Sequence, residues 1–418
     1  MLSVTLILLL FELTFAKTGF GPGEQDWGYA TVREKGHIFW WLYYTSANVS
    51  HPTERPLIIW LQGGPGGSST AIGNFVELGP LDKDLNVRNT TWVQHANVLF
   101  VDNPVGTGFS YLDDGGVFAQ NNTEIARDFI DFLIQFYNKL PSFRTVPLYI
   151  FGESYGGKMT VEIAVELDKA IKEKQIQASF KGIALGDSWI APIDYVFTWA
   201  PYLFNLGLID EKGVDQINSI ALKVQKSYED GDYNISTDYW ALAELQIVNE
   251  TGNVDFYNVL KKINTDPNFV NEDLHYSYLN KILDEVKKTL KLKAKGVADS
   301  SPVFEALSND FMKPVTDLVE TLLNSTNITV TVYNGQLDLI TDTPGTLKWI
   351  NNISFKDKDL WKKSERKPFV VNGIIEGFVK KYRNFGLYWV NRAGHMVQKD
   401  NPSAMHYILK CVTNNFVV

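Results

Sequence analysis

The stretch of sequence that decides the fold is Leu148-Tyr149-Ile150-Phe151-Gly152-Glu153-Ser154-Tyr155-Gly156-Gly157. Its first four residues predict a buried strand, and Lys158 to Lys172 predicts a helix. The serine therefore lies on a sharp strand-to-helix turn, where the strained backbone requires small neighbours such as Gly152 and Gly156. The alternative interpretation is a glycine-rich connection that carries an ordinary helix-capping serine.

Further short apolar runs predict a mostly parallel sheet around this strand. The runs Leu57–Leu61 and Val98–Asp102 are continuous, as expected of strands covered on both faces. The apolar residues of Glu124 to Leu140 recur at helical spacing, so strand, helix and strand imply a right-handed crossover. Trp27 to Tyr44 predicts two strands that turn at Glu34-Lys35-Gly36. Three more strands are predicted at Ile183–Leu185, Ile328–Tyr333 and Leu387–Val390.

A nucleophilic serine needs two partners, and the α/β-hydrolase fold orders them as serine, acid and histidine. His395 follows a predicted strand in a loop, whereas His406 lies in a helical pattern and is expected to be structural. Asp338 ends a predicted strand, and the nearby Asp342 fits a loop cap better. We predict that His395 takes the proton of Ser154, and that Asp338 fixes the imidazole tautomer and stabilises the imidazolium.

A glycine-rich turn from Gln62 to Ser69 follows the predicted strand Leu57–Leu61. A phosphate-binding loop needs a lysine and a different spacing, and this turn has neither. Its position matches the loop whose backbone N–H completes an oxyanion hole. A tight turn without a function is the alternative interpretation. The sequence predicts no cofactor and no metal site.

The composition changes between about Trp199 and Asp310. This stretch is rich in Lys, Asp, Glu and Asn, with helical periodicity as in Tyr278 to Leu292. We interpret it as a mostly helical insertion that caps the sheet. The predicted fold is a central mostly parallel sheet flanked by helices, with this cap. The predicted organisation is a signal peptide at 1–16, core at 17–198, cap at 199–310 and core again at 311–418.

The bulk composition fits one large domain with an insertion, or two domains. The chain has 418 residues, of which 45% are hydrophobic, and a formal net charge of −9. Because no basic stripe is present, neither nucleic acid nor an anionic membrane is an expected partner. Cys411 is the only cysteine, so no intrachain disulfide forms, and we expect it to be a small buried apolar residue. The oligomeric state is not predicted.

Two features predict entry into the secretory pathway. The leader MLSVTLILLLFELTFA is apolar and places Thr14 and Ala16 before a cleavage point ahead of Lys17, although it lacks a basic start. It is too short, and too interrupted by Glu12, for a membrane anchor. Candidate glycosylation sites begin at Asn48, Asn89, Asn121, Asn234, Asn249, Asn324, Asn327 and Asn352. Together these features predict a secreted or lysosomal glycoprotein.

Five stretches, in the same order along the chain, resemble the serine carboxypeptidases. They are Trp60–Ser69, Glu77–Pro80, Asp102–Tyr111, Gly152–Gly157 and Ala393–Val397. Jointly, the third and fourth are highly specific, and several details are closest to the retinoid-inducible branch. The resemblance implies a peptidase that releases single C-terminal residues from peptides through an acyl-enzyme. The expected partners are therefore peptides with a free C-terminal carboxylate.

The resemblance also implies roles for individual residues. Ser154, Asp338 and His395 would form the triad, and the N–H groups of Gly64 and Tyr155 the oxyanion hole. The substrate carboxylate would be held by Gln62, Gly63 and Glu153, backed by Glu77. Because two close carboxyls share protons, one pKa rises, and a protonated glutamate can donate to a carboxylate. We therefore expect binding to weaken as pH rises and activity to be favoured at acidic pH.

Several positions depart from the family pattern. Gln62 replaces Asn, Gly67 replaces Cys, Lys158-Met159-Thr160 replaces an aromatic-Pro ending, and Gln398 replaces Pro. The first and third departures bear on substrate preference. The remaining alternatives are an acyltransferase or esterase with the same triad, and a non-catalytic secreted binding protein. The complete triad argues against the last of these.

Overall fold

A twelve-stranded mixed sheet forms the centre of the computed structural model, which describes residues 17–263 and 277–413. Its strands are β1 (Lys17–Thr18), β2 (Glu24–Val32), β3 (Gly36–Tyr43), β4 (Leu57–Leu61), β5 (Asn97–Val101), β6 (Tyr111–Leu112), β7 (Pro147–Ser154), β8 (Ser179–Ser188), β9 (Thr329–Gly335), β10 (Lys367–Val371), β11 (Ile374–Tyr382) and β12 (Phe385–Val390). They pair in the order β1-β2-β3-β5-β4-β7-β8-β9-β12-β11-β10, with β6 against β3. The six strands from β5 to β12 in that order are parallel, and antiparallel strands extend the sheet on both sides.

Helices cover the sheet and fill the connections between its strands. They are α1 (Asn122–Lys139), α2 (Tyr155–Lys172), α3 (Pro192–Asn205), α4 (Glu211–Glu229), α5 (Tyr233–Thr251), α6 (Ser277–Leu290), α7 (Ser301–Phe311), α8 (Thr316–Ser325), α9 (Thr343–Asn352), α10 (Lys358–Lys363), α11 (Val397–Asp400) and α12 (Pro402–Val412). A π-helical segment, Ser69–Leu78, follows the glycine-rich turn. Within the described residues, no helix is both long enough and apolar enough to cross a membrane.

Both faces of the sheet are buried, as β3 illustrates. Successive side chains of a strand point to opposite faces. Ile38, Trp40 and Leu42 join the hydrophobic cluster on one face. Phe39 and Trp41 join the cluster on the other. A strand that is apolar at every position is thus satisfied only between two layers of packing, which explains the continuous apolar runs of the sequence.

The predicted α/β class is confirmed, and most predicted elements are present. The hairpin of Trp27 to Tyr44 is formed by β2 and β3, which meet around Glu34-Lys35-Gly36. One strand boundary was wrong: Asp102 lies outside β5, because its carboxylate accepts hydrogen bonds from Ser68, Thr70 and the N–H of Phe109. The predicted signal peptide at 1–16 lies outside the described residues.

The strand-to-helix turn is tighter than predicted. β7 continues to Ser154, and α2 begins at the next residue, Tyr155, rather than at Lys158. No loop separates the two elements, so the serine is held between a buried strand and a buried helix start. This rigid attachment is what a functional group on a scaffold needs.

Helices α3 to α7 lie between β8 and β9 in sequence, in the region predicted to be the cap. Trp199 lies within α3 and Asp310 near the end of α7, and the division of the chain at these residues stays a prediction. The loop from Phe256 to Val259 hydrogen-bonds through its backbone to the segments after β9 and β12. The inserted region is therefore tied directly to the loops that carry Asp338 and His395.

Candidate active site

Four neighbouring strands end at one edge of the sheet, and the predicted triad lies there. β7 ends at Ser154, and β8 lies between β7 and β9. Asp338 follows the end of β9, and His395 follows the end of β12. Because parallel strands present their carboxyl ends at the same edge, the sheet brings together groups that are far apart in sequence.

Ser154 has a strained backbone. Its φ is 59° and its ψ is −128°, a conformation that a residue with a side chain adopts at a cost of about 1–3 kcal/mol. A Cβ at Gly156 would lie 2.1 Å from the carbonyl oxygen of Leu61. A Cβ at Gly63 would lie 2.5 Å from the Cβ of Ser154. Glycine is thus required at both positions for the strands and the turn to approach this closely.

Asp338 and His395 form a buried hydrogen-bonded pair. Nδ1 of the imidazole lies 3.0 Å from Oδ2 of the carboxylate, and the side chains are 2% and 0% exposed respectively. The N–H and hydroxyl of Thr341 also donate to Asp338. In the neutral tautomer, an N–H at Nδ1 leaves Nε2 free to accept a proton. The backbone N–H of His395 donates to the carbonyl of Tyr257 at 2.8 Å, which fixes the loop.

Ser154 and His395 line the same cavity, which has a volume of about 80 Å³. The structure contains no hydrogen bond between the Ser154 hydroxyl and the imidazole. Such contacts often tighten only in the substrate complex. Cavities of about 290 and 420 Å³ lie elsewhere among the described residues, but neither is lined by the serine or the histidine. The cavity of about 80 Å³ that Ser154 and His395 line is therefore the candidate site.

The glycine-rich turn lies beside the serine. Gly63 and Gly64 line the cavity, and the segment is fixed because Ser68 N–H donates to Ala298 and Ser300 N–H donates to Gly66. Tyr155 is the first residue of α2, so its N–H has no acceptor within the helix. Of the two residues whose N–H groups are predicted to form the oxyanion hole, Gly64 thus lines the cavity with Ser154, and Tyr155 directly follows Ser154 in the chain.

The predicted carboxylate-binding residues form one buried cluster. Gln62, Gly63 and Glu153 line the cavity, and Glu77 lies behind them, 1% exposed. Gln62 Nε2 donates to Glu153 Oε1 at 2.8 Å, while its own Oε1 accepts from Trp60 at 2.9 Å. The extra methylene of Gln62, compared with asparagine, therefore serves to reach Glu153.

The glutamates of this cluster hold protons more tightly than exposed glutamates do. Burial raises the pKa of Glu153 well above its usual value, and the charge of Glu77 raises it further. Burial also raises the pKa of Glu77, against the hydrogen bonds that lower it. Two carboxyls this close cannot both ionise without a large penalty, so the pair retains a proton to a higher pH than either group alone.

Two residues of the site were not found from the sequence. Asp187, at the end of β8, is fully buried and accepts the N–H of Gly335 at 2.7 Å, while its Oδ2 has no donor among the described residues. Gln398 donates through Nε2 to both Glu77 and Glu153. Asp187 did carry a sequence signal, because it is an acidic residue near the end of a strand that lies between β7 and β9 in the chain. The only sequence signal for Gln398 was its departure from the family pattern.

Asp187 stands directly behind the triad acid. A carboxylate oxygen of Asp187, a carboxylate oxygen of Asp338 and an imidazole nitrogen of His395 lie within 4.8 Å of one another. Oxygen and imidazole nitrogen are also ligands of divalent cations, but Nδ1 of His395 is already hydrogen-bonded to Asp338. Burial raises the pKa of Asp187 well above its usual value, and the charge of Asp338 adds to this shift. A protonated Asp187 is able to donate a hydrogen bond to Asp338.

The inserted region adds two further residues to the cavity, Tyr257 and Asp299. The Tyr257 ring lies 4.9 Å from the imidazole of His395, measured between centroids, at an angle of 52°. The Asp299 side chain is exposed. Neither residue carries a recognisable sequence signal, because its place depends on how the inserted helices return to the glycine-rich turn.

A buried ion pair lies on the other side of the nucleophile turn. Lys158 Nζ lies 2.8 Å from Asp310 Oδ2, with side-chain exposures of 1% and 8%. The hydroxyl of Tyr155 donates to the same carboxylate at 3.0 Å. Lys158, which departs from the family pattern, therefore joins the start of α2 to α7.

The remaining candidates have structural or surface positions. Asp342 caps α9 by accepting from Gly345, and His406 lies in α12 beside the carbonyl of Thr90, as predicted for both. Cys411 is half-buried rather than fully buried, because it lies beside Tyr388 and Tyr407 near the surface of α12. Seven of the eight candidate glycosylation asparagines are exposed; the exception is Asn121, which caps α1.

Comparisons with known proteins show the family to which the chain is similar. The family model described as serine carboxypeptidase matches residues 17–415. The retinoid-inducible serine carboxypeptidase of Rattus norvegicus is 41% identical over 437 residues, covering 98% of this chain and 96% of the relative. Its Homo sapiens counterpart is 40% identical over 418 residues, covering 94% and 92%. Among solved structures, Kex1(Δ)p, a prohormone-processing carboxypeptidase from Saccharomyces cerevisiae, matches with a TM-score of 0.80 at 24% identity, covering 94% of this chain and 92% of that one.

Proposed function

The chain belongs to the serine carboxypeptidase family, and we propose that this serine carboxypeptidase uses Ser154, Asp338 and His395 as its triad. His395 Nε2 takes the proton of the Ser154 hydroxyl as Oγ attacks the last peptide carbonyl. The C–N bond then breaks, and the proton passes to the leaving amine. Water, deprotonated by the same imidazole, hydrolyses the acyl-enzyme. Asp338 holds the imidazole by the 3.0 Å hydrogen bond.

The oxyanion of each tetrahedral intermediate binds to the N–H groups of Gly64 and Tyr155. Both groups are fixed before reaction, the first by the glycine-rich turn and the second by the start of α2. A preorganised donor of this kind lowers the barrier by about 2.7–4 kcal/mol. The esterase and acyltransferase alternatives share this part of the site.

The single observation that carries the exopeptidase proposal is the Glu153–Glu77 pair beside Ser154. Gln62, Gly63 and Glu153 line the cavity that contains the nucleophile, and Glu77 backs them. The shared proton lets Glu153 donate a hydrogen bond to the substrate's terminal carboxylate. When the pair loses that proton, two negative charges face the substrate carboxylate. Peptide turnover is therefore favoured at acidic pH.

The setting of the enzyme is part of the same proposal. The apolar leader at 1–16 and the exposed candidate glycosylation sites are typical of a secreted or lysosomal glycoprotein. An acidic compartment would suit the proton that the glutamate pair must hold. Peptides with a free C-terminal carboxylate are the proposed substrates, and the triad and carboxylate site need no cofactor.

The first test measures release of the C-terminal residue from N-blocked dipeptides at several pH values. Wild type is compared with Ser154→Ala, and with wild type treated with a serine-reactive phosphonate. We expect only untreated wild type to release the residue, with kcat/KM falling as pH rises. Ser154→Ala should lose about 10⁶-fold in kcat, which puts its release of the residue below detection in this assay.

The outcomes of this test separate the candidate functions. Phosphonate labelling without peptide cleavage would favour an esterase or an acyltransferase. An absence of labelling would favour a binding protein. A kcat/KM that is unchanged from acidic to neutral pH would contradict the role of Glu153 while leaving the triad intact.

A further inference from the structure

We infer that Gln398 is a positioning residue that bridges Glu77 and Glu153 and thereby confines binding of terminal carboxylates to acidic pH. The inference rests on the proposed role of this glutamate pair. It adds a residue for which neither the family pattern nor the triad gives a role. Because Gln398 touches the glutamates rather than the reacting atoms, its effect must pass through them.

The geometry of Gln398 is specific. It lies in α11, three residues after His395, and is 2% exposed. Its Nε2 donates to Oε2 of Glu77 and to Oε2 of Glu153. An amide nitrogen carries two hydrogens, so one reaches each carboxyl. Gln62 also acts on both groups: its Nε2 donates to Glu153, and a hydrogen bond with its side chain lowers the pKa of Glu77.

The amide donors together suit an anion at Glu153. Oε1 accepts from Gln62 at 2.8 Å, and Oε2 accepts from Gln398. Hydrogen bonds donated to a carboxyl favour its charged form. Gln398 therefore opposes the protonation that burial and the neighbouring glutamate impose, and it does so on both members of the pair at once.

The proton of the pair still has acceptors within the cluster. Glu77 Oε1 and Gln398 Oε1 are buried, and neither accepts a hydrogen bond from an N–H or hydroxyl of the described residues. A proton on Glu153 can thus be held between the glutamates or turned to the amide oxygen. The cluster thus contains buried oxygens that can accept this proton, as a pH-dependent binding site requires.

Five other ionisable groups surround the glutamate pair. Those that act on the glutamates, or feel their charge, are His395, Asp187, Arg88, Tyr333 and Tyr257. None of them lies on α11. The intended difference between wild type and Gln398→Met is therefore the loss of two N–H donors, with the same ionisable groups present around the pair.

The sign of the effect follows from the donors. Removing them destabilises the ionised glutamates, so the pair keeps its proton to a higher pH. Binding of the terminal carboxylate, and with it kcat/KM, then persists to a higher pH. One charge-assisted hydrogen bond corresponds to a displacement of about one pH unit. The wild-type amide costs activity near neutral pH and leaves turnover at acidic pH intact.

The experiment compares wild type with Gln398→Met, which keeps the length of the side chain but has no N–H donor. The pH dependence of kcat/KM is measured from about pH 4 to about pH 8 on an N-blocked dipeptide and on its C-terminal methyl ester. In Gln398→Met, we expect the fall of kcat/KM at high pH to occur about one pH unit higher than in wild type. This displacement is expected for the dipeptide with a free carboxylate and not for its methyl ester. The profiles of kcat, which report the bound state, should coincide.

A second variant guards against a failure to fold. Gln398→Glu has the same size, removes the donors and adds a third carboxyl, so its alkaline limb should move at least as far. The rate of phosphonate labelling at Ser154 reports whether each variant retains a formed triad. Equal labelling rates in all three proteins would assign the displaced limb to carboxylate binding.

Two results would overturn the inference in distinguishable ways. A Gln398→Met limb that coincides with that of wild type, in a protein labelled normally, would exclude the bridging role and leave the proposed function standing. A wild type whose alkaline limb is the same for acid and ester substrates would remove the proposed role of the glutamate pair, and the inference with it.

Discussion

Two pairs of buried carboxyl groups flank the nucleophile, and they differ in their partners. Glu77 and Glu153 are bridged by side-chain amides, and Glu153 faces the cavity. Asp187 and Asp338 are held by a backbone N–H, by Thr341 and by the imidazole of His395, and neither lines the cavity. Burial alone therefore does not decide what a carboxyl does; the neighbours do.

These different partners suggest different roles for the two pairs: the glutamates exchange a proton, and the aspartates stabilise a positive charge. The glutamate pair lies at the cavity wall, where its proton can be shared with a substrate carboxylate. In the proposed mechanism the aspartate pair lies behind His395, where Asp338 stabilises the imidazolium as it forms. Burial raises the pKa of both glutamates and of Asp187, and a neutral carboxyl beside its partner limits repulsion.

The strongest test of this comparison replaces the carboxyl group of each aspartate in turn by a neutral amide. Asp338→Asn should lower kcat by about 10⁴-fold, because the amide favours the wrong imidazole tautomer. Asp187→Asn should lower it by less than about tenfold, because the amide oxygen still accepts from Gly335 and the amide N–H replaces the carboxyl proton toward Asp338. Steady-state kinetics on one dipeptide measure both.

The two variants are matched controls for each other, since both replace a buried carboxyl by an amide one strand apart. Equal losses would contradict the division of roles between Asp338 and Asp187. Asp187→Ala should cost more than Asp187→Asn, because it leaves the N–H of Gly335 buried without an acceptor.

Asp310 is another buried carboxyl, and it sharpens the comparison because the cation of Lys158 compensates its charge. Lys158 lies 2.8 Å from it, and burial lowers the pKa of that lysine against the attraction of the carboxylate. Lys158→Met should reduce the free energy of unfolding by about 3–5 kcal/mol, since it leaves a buried charge unpaired. Denaturant unfolding measures the loss.

The exposed pair of Lys226 and Asp230 provides the control, because breaking it should leave the unfolding midpoint nearly unchanged. A Lys158→Met protein as stable as wild type would mean that Asp310 takes up a proton when its partner is lost. Asp310 would then behave like the glutamate and aspartate pairs.

The sequence allowed prediction of the triad because each member leaves a local signature. Ser154 lies between glycines on a strand-to-helix turn, and Asp338 and His395 follow apolar runs that form β9 and β12. Their meeting point follows from the order of parallel strands. The oxyanion and carboxylate positions came from the resemblance and stay predictions.

The residues that escaped prediction depend on contacts between distant segments. Gln398 reaches Glu77 across 321 positions of sequence, and Asp187 meets Gly335 across 148. Tyr257 and Asp299 enter the cavity because the inserted helices bond to the loops of the core. No periodicity or motif encodes these distances, so only the packed fold reveals them.

The smallest effect concerns stability, and it compares Glu153 with its exposed counterparts. Because the folded pKa of Glu153 is raised, the native state binds more protons than the unfolded chain above the usual glutamate value, about 4.3. The stability that this proton contributes is complete below that pH and is lost as pH rises through the folded pKa. Glu153→Gln removes this loss of stability, which amounts to about 1.4 kcal/mol for each unit by which folding raises the pKa of Glu153. Thermal unfolding should therefore show a Tm difference between variant and wild type that turns in favour of the variant as pH rises.

The exposed Glu285→Gln should show no such trend. A Glu153→Gln curve parallel to wild type from acidic to neutral pH would mean that the pair carries no extra proton, and the distinction between the two pairs of acids would then fail.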